Sequence, residues 1–552
     1  MKQFYRSLTN RISECSLQPW QFNALFVALL AGPYNYPLWQ YMLHLYPLEA
    51  DGSALFLCLV FAVLACFFYI VVTLFSLLRG EKALAMLIVL ASSATLYFMN
   101  RFSVVIDATM MENVLQTDAA ETRELITTGF LLYVAFVGFI PAAIIYKIKI
   151  VRPKGIKGTL KGLLTLLVPL AMIGLIAATH FQSFSSFIRN HKEVRYHILP
   201  NNYVNATYKT IKVRIATSAK AAIPLVEASK DPVWKQHQKK TLFVLVIGET
   251  ARAENLSLNG YHRETTPLLK GKDILNFSNT HSCGTSTAVS LPCMLSPLAR
   301  KDFDTSKGDD PNNLFQLVSR AGFKALWIDN NSGCKGLCAH LPMMNSAELL
   351  KKYGAEDQSR EAFDMAMLQA MDDMIAHADE DIFVVLHQKG SHGPAYYLRT
   401  PASFRQFEPI CMTGELNRCS QDEIRNAYDN TLLYTDYFLS SLIDKLQNFS
   451  QDYNTAMIYM SDHGESLGEK NLYLHGLPYL IAPDQQKHVP FVMWLSDNFA
   501  RQQRVTKPCL QARHNAEFTH DNLFHSILDI LDIHTPLKLE SLSVFDGCRG
   551  LE

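Results

Sequence analysis

Charge of neither sign is in excess in this chain: 51 Lys and Arg are matched by 51 Asp and Glu over 552 residues. A protein that grips nucleic acid through its phosphates needs a basic surplus, so nucleic acid is excluded as a partner. Charge is also missing locally. Residues 53–78 contain no Asp, Glu, Lys or Arg, and comparable apolar runs cover 21–44, 83–99, 129–146 and 162–179. Each is near the ~20 residues that span a bilayer. The run 21–44 is interrupted by Gly32-Pro33-Tyr34-Asn35-Tyr36-Pro37 and is followed by no small-residue cleavage site, which excludes a signal peptide. At 552 residues the chain exceeds one ordinary domain. The composition divides it into an apolar part to 180, a bridge over 181–240 and a mixed soluble domain over 241–552.

Acidic residues are absent from the loop after the fourth run, which carries Lys147, Lys149, Arg152, Lys154, Lys157 and Lys161. Lys2, Arg6 and Arg11 precede the first run, and Arg79 and Lys82 follow the second. The positive-inside rule sends these to the cytoplasm. Five spans from a cytoplasmic N-terminus place everything after about 180 outside. The cysteines agree. Three, Cys15, Cys58 and Cys66, lie in the apolar part; the remaining eight follow residue 280, six of them in close pairs. That usage suggests disulfides in an oxidising compartment. A structural zinc site is the competing reading, weakened by spacings wider than Cys-x-x-Cys and by the lack of a histidine at finger spacing. The bridge mixes aromatic, basic and Asn residues, as a segment along the membrane surface or a plain linker would.

From Thr241 the pattern becomes strand, loop, helix. Continuous β-rich runs at 241–247, 323–328, 381–386 and 455–460 read as strands buried on both faces, with helical stretches between them. This predicts an α/β domain with a mostly parallel sheet flanked by helices. Parallel sheets present ligand sites at the carboxyl ends of their strands. Glu249, His387, His392, Asp462 and His463 all follow such ends. Glu249, Asp462 and His463 form a ligand set suited to Zn²⁺. The loop Cys283–Cys293 holds Thr285, Ser286, Thr287 and Ser290 but no acid or base. Its hydroxyls need a base or a metal to become nucleophiles, and Thr287 would be the fourth ligand of such a metal. His475 and His392 would hold a second metal or exchange protons with substrate. Lys335, in the short loop Cys334–Cys338, suits a phosphate. Between the third and fourth runs, Asn113, Thr117 and Glu121 recur every four residues, one face of a helix.

The motifs Gly248-Glu249-Thr250-Ala251-Arg252, Cys283-Gly284-Thr285-Ser286-Thr287-Ala288, Ser391-His392-Gly393-Pro394 and Ser461-Asp462-His463-Gly464-Glu465 resemble the membrane phosphoethanolamine transferases of Gram-negative bacteria. These include lipid A-modifying enzymes and mobile colistin-resistance proteins. Five spans and a periplasmic domain of alkaline phosphatase/sulfatase type are that family's layout. The resemblance implies a multi-pass inner-membrane enzyme. It implies Thr287 as zinc-bound nucleophile, with Glu249, Asp462 and His463 the other ligands of one tight zinc, and His392 and His475 at a second zinc or at substrate. Asn331, Ser332, Lys335 and His387 would line the phosphoethanolamine pocket, and Asn113, Thr117 and Glu121 would help hold the donor lipid. The implied disulfides are Cys283–Cys293, Cys334–Cys338 and Cys411–Cys419; Cys509 and Cys548 would be an added pair.

The implied reaction takes phosphoethanolamine from phosphatidylethanolamine to lipid A, through a covalent Thr287 intermediate and with release of diacylglycerol. It lowers the attraction of the surface for polymyxin and other cationic peptides. Transfer to Kdo or heptose of the lipopolysaccharide core, a phosphoglycerol transferase and a non-catalytic membrane scaffold are the alternatives. A sulfatase activity is disfavoured, because Met294 stands where that motif needs Arg. Thr285 has the same chemistry as Thr287, and only the resemblance separates them.

Overall fold

The computed structural model describes residues 16–117, 119–153, 155–218, 223–304, 310–354, 362–376 and 378–550. Lys2, Arg6, Arg11, Cys15 and Lys154 lie outside them. The chain divides into two compact units. One is Met1–Asp107 with Ile126–Tyr208, and the other is Ala108–Leu125 with Lys209–Glu552.

In the first unit, four helices among the described residues are long and apolar enough to cross a membrane: Ser53–Leu77, Glu81–Phe102, Thr128–Lys147 and Leu160–Asn190. The run 21–44 is instead two shorter helices, Pro19–Ala31 and Tyr36–Leu45, separated by a 3₁₀ turn at Pro33–Asn35. The break has a local cause. Pro33 has no amide to continue the ladder after Gly32. The buried Asn35 takes over backbone partners, donating to Leu30 O and Leu199 O, each at 2.8 Å, and accepting from Leu199 N at 2.9 Å. The last apolar helix runs on to Asn190, ten residues into the stretch read as bridge, and a further helix covers Asn201–Ser218. Gly138 lets helices pack closely, since a Cβ there would lie 2.5 Å from Ser93 Oγ.

The second unit is built on a seven-stranded sheet: β1 (Lys240–Gly248), β2 (Ile274–Phe277), β3 (Lys324–Asp329), β4 (Met343–Met344), β5 (Ile382–His387), β6 (Tyr453–Ser461) and β7 (Phe491–Leu495), in spatial order β2-β7-β6-β1-β5-β3-β4. Pairing is parallel from β6 across to β4, whereas β7 is antiparallel to both β6 and β2. The sheet is therefore mixed, not uniformly parallel; a short apolar run such as β7 carries no signal of its direction. Strand β1 shows why both faces need cover. Phe243, Leu245 and Ile247 enter one apolar cluster, while Leu242, Val244 and Val246 enter another on the opposite face. Four helices of this unit bear on the site: α1 (Ala108–Gln116), α2 (Ala119–Leu125), α3 (Thr287–Met294) and α4 (Gln421–Phe449). α4 starts on a capping box, Ser420 with Glu423, and buries Leu439, Leu442, Ile443 and Leu446 in the second cluster.

Candidate active site

Register assembles the site. Ser461 pairs with Gly248, so Asp462 and His463 emerge beside Glu249. His387 pairs with Ile247 on one side and Asp329 on the other. Four parallel strands thus deliver Glu249, Asp462, His463, His387 and the Asn330-Asn331 pair to one rim. Thr250, just after Glu249, is buried at φ 52°, a conformation that costs a β-branched residue energy and fixes the direction in which the chain leaves the sheet.

Thr287 is the first residue of α3, at the end of the helix that favours negative charge. Its Oγ1 donates to Glu249 Oε2 at 3.0 Å and lies 3.4 Å from His463 Nε2. Thr285, two residues earlier, is committed elsewhere: its Oγ1 donates to Leu477 O at 2.6 Å. The loop is held from three directions. Cys283 and Cys293 are disulfide-bonded. Ser290 Oγ donates to Asp462 O. Cys283 N donates to His520 Nδ1 at 3.1 Å, which leaves the His520 Nε2 proton to donate to Ser461 O at 2.9 Å. His520 therefore ties the nucleophile loop to the strand that carries Asp462. It stands alone in the sequence, with no neighbouring motif, and sequence reasoning missed it.

Glu249, Asp462 and His463 place ligand atoms within 4.8 Å of one another, all buried. Glu249 Oε1 and Asp462 Oδ2 have no hydrogen-bond partner. His463 Nδ1 donates to Gly464 O at 2.9 Å, so its Nε2 lone pair turns inward, 3.3 Å from Glu249 Oε1 and 3.4 Å from Asp462 Oδ2. Burial, and then the neighbouring Asp462, push the Glu249 carboxyl up. Burial carries Asp462 up to about 6. Burial and then His475 push His463 down to about 4. Lone pairs facing one another in a dry pocket repel, and a divalent cation with carboxylate, imidazole and hydroxyl ligands removes that repulsion. The donor set fits zinc.

Beside this pocket the His463 and His475 rings lie 4.4 Å apart, and His475 lies 5.5 Å from His392. His475 Nδ1 donates to Glu465 Oε2 at 2.8 Å, and Tyr396 OH donates to Glu465 Oε1 at 2.7 Å. Burial alone would lower the His475 pKa, but Glu465, with Glu249 and Glu121, outweighs it and raises it to about 9. His392 is pushed well below the usual range by burial and then by Lys389. Glu465 closed a quoted motif without being assigned a role.

The remaining expected residues divide. Asn331 Nδ2 donates to Glu249 Oε2 at 2.5 Å and to Gln388 O at 3.0 Å, and lies 3.3 Å from His387 Nε2. His387 Nδ1 bonds Asp329 Oδ2 at 2.8 Å. Burial opposes the His387 charge, but Asp329 outweighs it and its pKa is raised. Lys335, at φ 49° in the Cys334–Cys338 loop, donates to Ser332 O at 3.1 Å and reaches Gln116 O at 3.4 Å. Ser332 is half-buried.

The shared helix face expected for Asn113, Thr117 and Glu121 is corrected. α1 ends at Gln116 and α2 begins at Ala119. Thr117 Oγ1 donates back to Asn113 O at 2.9 Å, one of the side-chain bonds that compete with a continuing helix. α2 instead brings Glu121 Oε1 to 3.7 Å from His392 Nε2 and pairs Glu124 with Arg399. Cys411–Cys419 and Cys509–Cys548 are also disulfides.

Comparison with known proteins adds independent findings. The sulfatase family profile matches residues 241–533. A second profile, phosphoethanolamine transferase EptA/EptB, matches residues 64–215. Phosphoethanolamine transferase EptA of Escherichia coli K12 is 36% identical over 96% of this chain and 97% of its own. Phosphatidylethanolamine transferase Mcr-1 of Escherichia coli is 33% identical over 96% and 98%. The solved lipooligosaccharide phosphoethanolamine transferase A of Neisseria meningitidis superposes with a TM-score of 0.91 at 35% identity, covering 97% of this chain and 99% of that one.

Proposed function

This chain belongs to the EptA/EptB family of phosphoethanolamine transferases with a sulfatase-family catalytic domain, and from that premise we propose which of its residues carry the transfer and which lipids it joins. The donor is phosphatidylethanolamine, as the name of the relative Mcr-1 suggests, and the acceptor is lipid A. The observation that carries this reading is the convergence of Thr287 Oγ1 on Glu249 and His463, beside two buried carboxylate oxygens with no partner.

Glu249, Asp462, His463 and Thr287 would hold one zinc. When bound, it acidifies the Thr287 hydroxyl and offsets charge on the phosphoryl oxygens. Thr287 Oγ1 gives up its proton and attacks the phosphorus, the P–O bond to diacylglycerol breaks as the leaving oxygen takes a proton from His475, and Thr287 carries phosphoethanolamine. An acceptor phosphate oxygen then attacks the same phosphorus and the bond to Thr287 breaks. His475, held against Glu465, supplies a proton at the phosphoryl group. Asn331 holds Glu249, with His387 beside Asn331, and Lys335 and Ser332 line the approach.

Topology is part of the proposal. The helices Pro19–Ala31 and Tyr36–Leu45 have 13 and 10 residues, a summed length of about 35 Å at ~1.5 Å per residue, enough to cross as one broken span. Five crossings from a cytoplasmic N-terminus put the catalytic unit in the periplasm of an inner-membrane protein. Four disulfides support that side, since the cytoplasm would reduce them.

Mass spectrometry of lipopolysaccharide from cells with and without the protein tests the function. Phosphoethanolamine should appear on lipid A and be absent with Thr287→Ala. Addition confined to core Kdo or heptose would sink the acceptor, and an unchanged lipid profile would sink the transfer.

A further inference from the structure

The first unit contains a cavity of about 500 Å³ at one end of its bundle, among the start of Pro19–Ala31, the end of Ser53–Leu77 and the start of Leu160–Asn190. No step of the transfer uses it. Its polar wall includes Asn23, Thr73, Arg79, Arg152 and Lys161, and among the described residues no acidic side chain lines it. Arg152 is neutralised by the buried Glu81 and donates to Ser76 O at 2.7 Å. Among the described residues, neither Arg79 nor Lys161 has a carboxylate partner; Lys161 Nζ donates to the neutral Gln18 Oε1 at 3.1 Å. Among the described residues, two positive charges are therefore left over at the cavity. Asn23 is 1% exposed; its Nδ2 donates to Thr73 Oγ1 at 3.1 Å, while its Oδ1 has no partner. A buried acceptor without a donor is costly unless a ligand supplies one.

The surroundings define the ligand further. Trp20 is 43% exposed at the mouth, as aromatic rings are at headgroup level. Leu160, Leu163 and Leu164 beside Lys161 expose an apolar face suited to acyl chains. Arg79 follows the helix Ser53–Leu77 and Lys161 lies at the start of Leu160–Asn190, at the ends that the positive-inside rule assigns to the cytoplasm. We propose that this cavity is a headgroup site for an anionic glycerophospholipid of the cytoplasmic leaflet. Its phosphodiester meets Arg79 and Lys161, and a headgroup hydroxyl, as in phosphatidylglycerol, donates to Asn23 Oδ1. Basic pockets between helices on this side are suited to anionic lipid heads, and the volume is that of a ligand site. The site lies in a different unit from Thr287 and rests on the cavity's own residues, not on the transfer reaction.

The test uses the full chain in nanodiscs of phosphatidylcholine with a minor fraction of phosphatidylglycerol. Native mass spectrometry should find one phosphatidylglycerol retained per chain. Occupancy should fall about tenfold or more in R79Q/K161Q, with transferase activity unchanged. In the unaltered protein, phosphatidylglycerol should protect Lys161 from acylation by an amine reagent, a readout that needs no variant to fold. Equal retention by protein and variant, or no protection of Lys161, would overturn the site. Displacement of the lipid by glycerol phosphate or inorganic phosphate would overturn the lipid assignment in favour of a soluble anion.

Discussion

The pocket of Glu249, Asp462 and His463 and the adjoining cluster of His475, Glu465 and Tyr396 are equally dry, yet their polar atoms are treated in opposite ways. In the first, Glu249 Oε1 and Asp462 Oδ2 have no hydrogen-bond partner. In the second, Glu465 accepts from both His475 and Tyr396. Burial drives His463 down to about 4, whereas the carboxylate beside His475 carries it up to about 9. The first cluster has the donor atoms to hold a cation from outside. The second is satisfied within itself.

The largest expected effects come from emptying the first cluster. Thr287→Ala should lower transfer by about 10³-fold or more, whereas Thr285→Val, which loses only the bond to Leu477 O, should stay within about tenfold and lose ~1 kcal/mol of stability. Equal losses would erase the distinction between the two hydroxyls. Glu249→Gln or Asp462→Asn should strip zinc as read by elemental analysis, and chelation of the unaltered protein should stop transfer until zinc is restored. The second cluster should respond differently. Glu465→Gln should cut the rate roughly 10–100-fold, as loss of a supporting partner does, while zinc content stays at the wild-type level. A parallel loss of zinc would merge the clusters into one.

The disulfides sharpen the contrast further. Cys283–Cys293 brackets Thr287, so its removal should reduce activity at temperatures where the fold persists. Cys509–Cys548 closes a separation of 39 residues, worth about 4 kcal/mol by chain entropy. Cys509→Ser with Cys548→Ser should lower the melting temperature with kcat/KM unchanged. The smallest effect is on acid stability. His525 accepts from Leu539 N at 3.0 Å and burial pushes it down to about 4. The unfolded chain then binds a proton that the fold refuses, so stability is full above the unfolded value near 6.5 and declines as pH falls from there toward 4, by up to about 1 kcal/mol per pH unit. His525→Gln should flatten that slope in denaturant titrations.

What could be read beforehand follows from how local each signal is. Strands β1, β3, β5 and β6 were legible because strands buried on both faces are continuous apolar runs, and their polar ends named the rim. β2, β4 and β7 were not read as strands, being short runs whose role depends on neighbours distant in the chain. The metal set was legible from residue type at strand ends. The different surroundings of Thr285 and Thr287 were not, since Thr285 is bonded to Leu477 O, contributed from 192 residues away. Asn113, Thr117 and Glu121 have helical spacing, but the bond from Thr117 to Asn113 O accompanies a break that spacing cannot show. The interruption at Gly32-Pro33 was visible, and the structure turns it into two helices.

Peptide mapping of the purified full chain, quenched after incubation with phosphatidylethanolamine and no acceptor, tests the central claim most directly. Phosphoethanolamine should be found on Thr287 and disappear when lipid A is added. A mark on Thr285, or none on a protein that still transfers, would contradict it.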